Sequence, residues 1–175
     1  MRVLVSVLVV SAGLLVACSK GPCPRGQQLR ETKFPDSQTV KERGCLAEGD
    51  KLEGLWTEWY ENGQKKQEAN YLDGKLEGSK TRWHKNGRKK SESHYQGGKD
   101  DGLVTQWFEN GKKEREATYK AGEPEGLVTQ WYENGQKKSE ATFKNGKLEG
   151  VATAWSETGE KQSETAYQDG KPVTK

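Results

Sequence analysis

The sequence repeats itself with a fixed step of 24 residues from residue 54 to residue 173, and no gap is needed to align the copies. A fixed period of this length indicates a repeat architecture, in which each unit stacks on its neighbours. The five copies span residues 54–77, 78–101, 102–125, 126–149 and 150–173. One tryptophan column marks the step most clearly: Trp59, Trp83, Trp107, Trp131 and Trp155.

Each copy reads as one β-hairpin. The flanking segments are rich in Thr, Trp and Tyr, which suit a pleated strand. Asn-Gly between two such segments is a strong hairpin signal, because a type I′ turn needs positive φ at both central residues. The predicted turns are Asn62-Gly63, Asn86-Gly87, Asn110-Gly111 and Asn134-Gly135, and the fifth copy has Thr158-Gly159. The sequence therefore predicts an all-β protein, a single-layer antiparallel β-meander of five 24-residue hairpins.

A two-residue turn fixes the register of the first hairpin. Glu61 would then pair with Gln64, Trp59 with Lys66 and Thr57 with Glu68. Since side chains alternate along a strand, Leu55, Thr57, Trp59 and Glu68 would share one face. Trp56, Tyr60, Lys65, Ala69 and Tyr71 would share the other. A bulge at the turn would change this register by one residue.

Aromatic columns are expected to replace a thick core, because only 30% of the residues are hydrophobic. A single hairpin is marginal, but stacked repeats bury aromatic area against their neighbours. Besides the tryptophans, the candidate binding or structural aromatics are Tyr60, Phe108 and Tyr132. His84 occupies the same place in the second copy, so it is interpreted as an aromatic substitute.

Residues 1–17 have the pattern of an export signal, with a positive start and a short apolar run. Leu15-Val16-Ala17-Cys18 resembles the lipobox of bacterial lipoproteins. That resemblance implies cleavage before Cys18, lipid on its sulfur and amine, and stable membrane anchoring. An ordinary secretory signal cut near Ala17 is the alternative. Ser19 favours the outer membrane if the cell is Gram-negative, since Asp at that place tends to retain lipoproteins at the inner membrane.

The segment between the signal and the repeats is interpreted as a tether over residues 18–44, followed by a capping strand and turn over residues 45–53. No strand period is evident before Cys45. In an oxidising compartment, the remaining pair Cys23 and Cys45 predicts a disulfide. A zinc site is disfavoured, because two sulfurs without a nearby His supply too few ligands.

No motif for catalysis, phosphate binding or metal binding appears in the sequence. His84 and His94 have no Cys or repeated acidic partner nearby, and a glutamate copied five times fits cross-strand pairing better than catalysis. Positive and negative charges are interspersed, 29 Lys and Arg against 26 Asp and Glu, which argues against nucleic-acid binding. We therefore expect a protein that is not an enzyme and that needs no cofactor and no metal.

The unit Gly-x-x-x-x-Trp-Tyr-x-Asn-Gly resembles the MORN repeat, with residues 126–135 as the clearest copy. It is most similar to the bacterial variant found in proteins labelled YwqK-family antitoxins. The antitoxin label implies a binder that neutralises a toxin. Because this chain has an export signal, such a toxin would have to meet it in the envelope.

Three functions follow as hypotheses. The leading one is a lipid-anchored scaffold of the bacterial envelope that binds a protein through its repeated aromatic and charged surface. The second is binding of a glycan or a lipid headgroup through exposed aromatics. The third is an antitoxin or immunity role against an envelope toxin. The expected partners are thus a membrane and a protein.

Overall fold

A computed structural model describes residues 23–173. The predicted export signal over residues 1–17 and the predicted lipidation at Cys18 fall outside these residues. In the described part, every regular element is a β-strand, and no helix there is long and apolar enough to cross a membrane. The strands form one antiparallel sheet of 15 strands in chain order, with two short strands branching from the main path. The predicted antiparallel meander is confirmed.

The strands before and within the first two repeats are β1 (Gln28–Lys33), β2 (Val40–Leu46), β3 (Leu52–Trp59), β4 (Lys65–Leu72), β5 (Lys75–Trp83) and β6 (Lys89–Gln96). The second repeat ends with β7 (Lys99–Asp100), the third holds β8 (Gly102–Trp107) and β9 (Lys113–Lys120), and β10 (Glu123–Trp131) runs from the third into the fourth. The fourth repeat continues with β11 (Lys137–Lys144) and β12 (Lys147–Leu148), and the last holds β13 (Gly150–Trp155), β14 (Lys161–Gln168) and β15 (Lys171–Pro172).

The prediction of a type I′ turn at Asn62-Gly63 is wrong. Gly63 has a φ of 80°, but Asn62 is not among the residues with positive φ. The Gly63 amide donates to the Tyr60 carbonyl at 2.9 Å, and the Tyr60 amide donates to the Gln64 carbonyl at 2.8 Å. This is a three-residue loop, a type I turn closed by a glycine bulge. Because only the glycine needs positive φ, Thr158 can replace Asn before Gly159 in the fifth copy.

Type I′ geometry occurs instead at the turns that join one repeat to the next. There both central residues have positive φ, as at Asp73 (51°) and Gly74 (77°) or at Asn145 (49°) and Gly146 (76°). This geometry matches the twist of the strands on either side. Both kinds of turn place a small residue before Gly, as at Asn62-Gly63 within a hairpin and at Asp73-Gly74 or Ala121-Gly122 between repeats, which is why the pattern alone assigned the type to the wrong turn.

Two irregularities set the register of each hairpin. Thr57 lies opposite Glu68, as predicted, but Trp59 lies opposite Lys65 and not Lys66. The pairing of Glu61 with Gln64 is also wrong, since Gln64 bonds Tyr60. The glycine bulge advances the register by one residue, and a second bulge at Lys66 restores it. The two shifts cancel before Thr57 is reached.

The second bulge also corrects the predicted position of Lys65. In an unbroken strand, residues three apart point to opposite faces. The extra residue turns Lys65 onto the face of Glu68, and its Nζ lies 2.6 Å from the Glu68 carboxylate. The same pair recurs in the four later repeats, at 2.5 to 3.1 Å.

The segment before the repeats differs from the predicted tether. Residues 28–33 and 40–46 form a hairpin, and β2 lies beside β3 of the first repeat. Its sequence lacks the period and the glycine turn of the repeats, so the pattern gave no strand signal. The predicted disulfide between Cys23 and Cys45 is confirmed and joins residue 23 to β2.

Candidate functional site

One side of the sheet carries the threonine column, and we call it the threonine face. Thr57 lies opposite Glu68, and Glu68 lies opposite Thr81 of the next repeat. The hydroxyl-bearing residues Thr57, Thr105 and Thr129 are buried although the sheet has one layer. Longer side chains on the same face must therefore cover them.

Lysines and tryptophans provide this cover. Lys65 bonds Glu68 and places its Nζ 5.6 Å from the ring centre of Trp83 in the following repeat. Lys113 and Lys137 do the same over Trp131 and Trp155, at 5.8 and 5.9 Å. Each ammonium thus joins a carboxylate in its own strand to an aromatic ring one repeat later. We call these Thr, Glu, Lys and Trp residues the invariant network, because each of the four columns is identical in the five copies.

Aromatic side chains near the hairpin turns connect consecutive repeats. The Tyr60 hydroxyl donates to the Trp83 carbonyl at 2.9 Å, and Tyr132 donates to Trp155 in the same way. His84 places Nε2 2.8 Å from the Trp107 carbonyl, so the ring nitrogen donates where the tyrosine hydroxyl would. Phe108 has no donor at this position.

The turn asparagines form a second connection between repeats. Each side-chain amide donates to a backbone carbonyl 23 residues later, at 2.7 to 3.0 Å. The same side chains accept a backbone amide within their own turn, as Asn62 does from Gln64. The predicted turn residues and most of the candidate aromatics thus make contacts within the sheet.

The opposite side of the sheet carries an aromatic column, and we call it the tyrosine face: Tyr71, Tyr95, Tyr119, Phe143 and Tyr167. Its central columns change from copy to copy. The column of Trp56 continues as Lys80, Val104, Val128 and Ala152. The column of Glu58 continues as Arg82, Gln106, Gln130 and Ala154. The column of Gln67 continues as Ser91, Arg115, Ser139 and Ser163.

A small pocket of about 150 Å³ opens on the tyrosine face between the second and third repeats. Arg115 closes one side and donates from Nη2 to the Tyr119 hydroxyl at 2.8 Å. Lys80 closes the other, with Nζ 5.8 Å from the ring centre of Tyr95. Arg82 and the Asp100 carboxylate also contribute to its wall. Three cationic side chains and one carboxylate thus line this pocket.

Burial perturbs two groups of this pocket. The pKa of Lys80 is lowered, mainly because partial burial disfavours the ammonium and also because Arg82 has the same charge. The pKa of Tyr95 is raised, again chiefly by burial. The protein thus holds the Lys80 ammonium in an environment that does not fully compensate its charge.

A larger pocket of about 490 Å³ lies where the N-terminal hairpin meets the first repeat. Its wall contains the aromatic residues Phe34, Trp59 and Tyr60. Glu42 and Glu58 supply carboxylates, next to lysines and the Asn62 amide. The pocket exists because the loop between β1 and β2 lacks the repeated turn. No sequence pattern indicates this pocket, because Phe34 falls outside the period.

An apolar row lies on the threonine face near the inter-repeat turns. Leu103, Leu127 and Val151 occupy the same place in three consecutive repeats, and each is more than half exposed. They are the third to fifth members of the column of Leu55, whose second member is Ser79. This apolar row is a second surface of the repeats, besides the tyrosine face, that is open to contact with a partner.

Within residues 23–173, no three His, Cys, Asp or Glu residues are placed so that they could hold a metal ion. His84 donates to a backbone carbonyl, and His94 lies on the exposed side of β6.

The family model described as the MORN repeat variant matches residues 52–73, 100–121 and 124–145. These segments coincide with the hairpins of the first, third and fourth repeats. No curated protein matches the chain.

Proposed function

Because the chain is a MORN-repeat protein, we propose that it is a scaffold of the bacterial envelope that binds a partner protein through the tyrosine face. Lipid on Cys18 would hold it to a membrane. The observation that carries this proposal is the difference between the two faces. The central columns of the threonine face are identical in all copies, whereas those of the tyrosine face vary.

The invariant network makes its contacts within the sheet. Each Lys that bonds a Glu and covers a Trp has its charge compensated within the sheet. Repeat proteins stack a constant unit and present an extended surface, so residues that vary between units are suited to distinguish one ligand from another. Gln106, Gln130 and their variable neighbours are therefore the expected contact residues.

The charge on the tyrosine face changes along the stack. Glu42 and Glu58 lie opposite each other at the N-terminal end. Arg82 lies two strands further on, about 10 Å away, since neighbouring strands are about 4.8 Å apart. Arg115 lies beyond it, and the fourth and fifth repeats are uncharged in these columns. Lys66 and Arg30 already pair with Glu58 and Glu42, so a partner segment that crosses the strands is expected to present its acidic group at Arg82 and Arg115.

The disulfide supports a proposal for which end of the sheet lies near the membrane. It joins Cys23 to β2, and Cys23 lies only five positions after Cys18. Five residues span at most about 18 Å. The N-terminal hairpin would therefore lie next to the lipid, and the later repeats would extend away from it. A Cys18→Ser variant should move from the membrane fraction to the soluble fraction, and unchanged membrane retention would contradict the anchor.

Site-specific photo-crosslinking in living cells tests the binding face. A photoreactive residue at Gln106 or Gln130 samples the tyrosine face, and the same residue at Leu127 samples the apolar row on the threonine face. We expect one discrete protein adduct from Gln106 and Gln130 and none from Leu127. An adduct from Leu127 alone would place the partner on the apolar row and overturn the proposal.

An antitoxin or immunity protein would be one form of this binder. The resemblance to YwqK-family antitoxins supports it, and the predicted export signal would restrict the partner to an envelope toxin. In this case the crosslinked protein should be encoded beside this chain and should be toxic without it. A crosslinked partner whose expression alone is harmless would exclude this form.

The pocket at the N-terminal end supports a second candidate, glycan binding. Aromatic rings can stack on sugar rings, and the carboxylates and the amide can accept and donate hydrogen bonds to hydroxyl groups. Peptidoglycan pull-down would test it, with Phe34→Ala as the variant and Phe108→Ala as the matched loss of a ring elsewhere. Equal binding by both variants would reject this pocket as a glycan site.

A further inference from the structure

Lys80 interrupts an otherwise uncharged column. The equivalent residues in the other repeats are Trp56, Val104, Val128 and Ala152. Trp56, Val104 and Val128 are buried, and Lys80 is half-buried in the same place. A buried apolar site normally excludes an ammonium unless a counter-charge compensates it. Lys80 forms no ion pair within residues 23–173; its partner there is the ring of Tyr95.

Arg82 and Arg115 increase the positive charge around Lys80. In the other repeats, the places of Arg82 hold Glu, Gln, Gln and Ala, and those of Arg115 hold Gln and Ser. All three cations line the pocket between the second and third repeats, and Asp100 is its only carboxylate. Glu58 is the other acidic group whose charge acts on Lys80. Positive charge is thus concentrated at one place on the stack.

The pocket is small and has donors on several sides. Its 150 Å³ equals the space of about five water molecules, so it fits one polar group rather than a ring system. Ser91 and Ser93 add hydroxyl groups to its wall, and Tyr95 and Tyr119 supply the flanking rings. Guanidinium groups match planar oxyanions, to which they donate two parallel hydrogen bonds.

We propose that this pocket is a carboxylate-binding site, in which Lys80, Arg82 and Arg115 bind an acidic side chain of the partner. The source of the carboxylate rests on the proposed function, whereas the site itself does not. A carboxylate there would compensate the Lys80 ammonium and complete its hydrogen bonds. Two of these cations would each keep a contact with the sheet: Arg115 bonds the Tyr119 hydroxyl, and Lys80 lies over the ring of Tyr95.

The chain supplies its own matched variants. Lys80→Val copies Val104 and Val128, Arg82→Gln copies Gln106 and Gln130, and Arg115→Ser copies Ser91 and Ser139. Each replacement exists at the same place in another repeat, so the fold should tolerate it. Lys120→Gln is the control, because it removes the same charge at an exposed place that holds Gln96 and Gln168 in other repeats.

The experiment titrates the full chain, purified in a neutral detergent, with acetate at constant ionic strength and follows the NMR signals of lysine Cε and arginine Cζ, so that Lys80, Arg82 and Arg115 are all observed. We expect a saturable shift at Lys80 and a rise in its pKa, because a bound anion favours the ammonium. Lys80→Val should abolish the saturable shift elsewhere in the pocket. Arg115→Ser should weaken acetate binding on the order of tenfold, the worth of one charged hydrogen bond, and Lys120→Gln should not change it.

Three results distinguish the possibilities. Small shifts spread over all lysines without saturation would overturn the site. Saturation by phosphate but not by acetate would also overturn it, since the ligand would then be a phosphate. Acetate binding at Lys80 in a chain that gives no crosslinked partner would support the site and contradict the proposed function, so the two can fail separately.

Discussion

The two faces of this sheet are built from the same strands but follow different rules. On the threonine face, Thr, Glu, Lys and Trp recur in all five repeats and satisfy one another. On the tyrosine face, the same strands carry Trp, Lys, Val and Ala at one position. A period of two along each strand lets one face hold the repeats together while the other varies freely. The fold and the binding surface can thus change independently.

The largest expected effect on stability comes from Trp56, a residue of the variable face that packs inside the fold. Trp56 is buried and packs on Gly44 of the N-terminal hairpin. Trp56→Ala should lower the free energy of unfolding by about 3–5 kcal/mol, because it opens a cavity at the junction of the hairpin and the first repeat. Urea denaturation would measure the change. A loss under 1 kcal/mol would mean that the hairpin does not depend on this contact.

Gly44→Ala tests the same contact from the other side. A methyl group there would overlap the indole ring, and no positive φ is involved. Overpacking of this kind should cost about 1–3 kcal/mol in urea denaturation. Gly44→Ala should cost less stability in a Trp56→Val background than in the wild type, because the smaller side chain leaves room for the methyl group. Equal costs of Gly44→Ala in both backgrounds would rule out the steric explanation.

The hydroxyl hydrogen bond between repeats should have a smaller effect on the free energy of unfolding. The effect should be positive where the bond is added at residue 108 and negative where it is removed at residue 132. Phe108→Tyr should add a hydrogen bond to the Trp131 carbonyl and raise the free energy of unfolding by about 1 kcal/mol. Tyr132→Phe removes the existing bond to Trp155 and should lower it by a similar amount. Thermal unfolding of both variants would show whether the contact matters, and shifts of the same sign would contradict it.

Adjacent residues of β9 provide the sharpest comparison of the faces. Glu116 belongs to the invariant network, and Arg115 belongs to the variable face. Glu116→Gln should cost less than about 1 kcal/mol of stability, since the ion pair is partly exposed, and it should leave partner crosslinking intact. Arg115→Ser should leave stability unchanged and reduce crosslinking. The reverse assignment of the two effects would exchange the roles of the faces.

The smallest effect concerns Lys80. Its pKa is lowered in the folded chain, so the unfolded chain binds more protons between the folded and unfolded pKa values. The stability of the wild type therefore rises with pH in that alkaline window. Lys80→Val should stabilise the protein by about 0.5 kcal/mol at neutral pH, and the gain should shrink as Lys80 loses its proton. A gain that does not change with pH would show that the charge is not the cause.

Period, hairpin topology and the Thr57–Glu68 pairing could be predicted from the sequence, because they depend on alternation and on glycine spacing. The turn types could not, since both turns read as a small residue before Gly, and the glycine at position 63 serves a bulge. The face of Lys65 was missed for the same reason. The N-terminal hairpin and Phe34 lie outside the period. Lys80 could not be singled out from the sequence, because only the register shows that it occupies a position where other repeats bury Trp56, Val104 and Val128.

One variant tests the central claim most directly. Lys80→Val, Arg82→Gln and Arg115→Ser together make the tyrosine face of the second and third repeats resemble that of the fourth, while the threonine face stays unchanged. Partner crosslinking from Gln106 should be measured in cells beside the thermal unfolding of the purified chain. We expect unfolding at an unchanged or higher temperature and loss of the crosslinked partner. Full crosslinking by a stably folded variant would contradict the assignment of binding to the variable face.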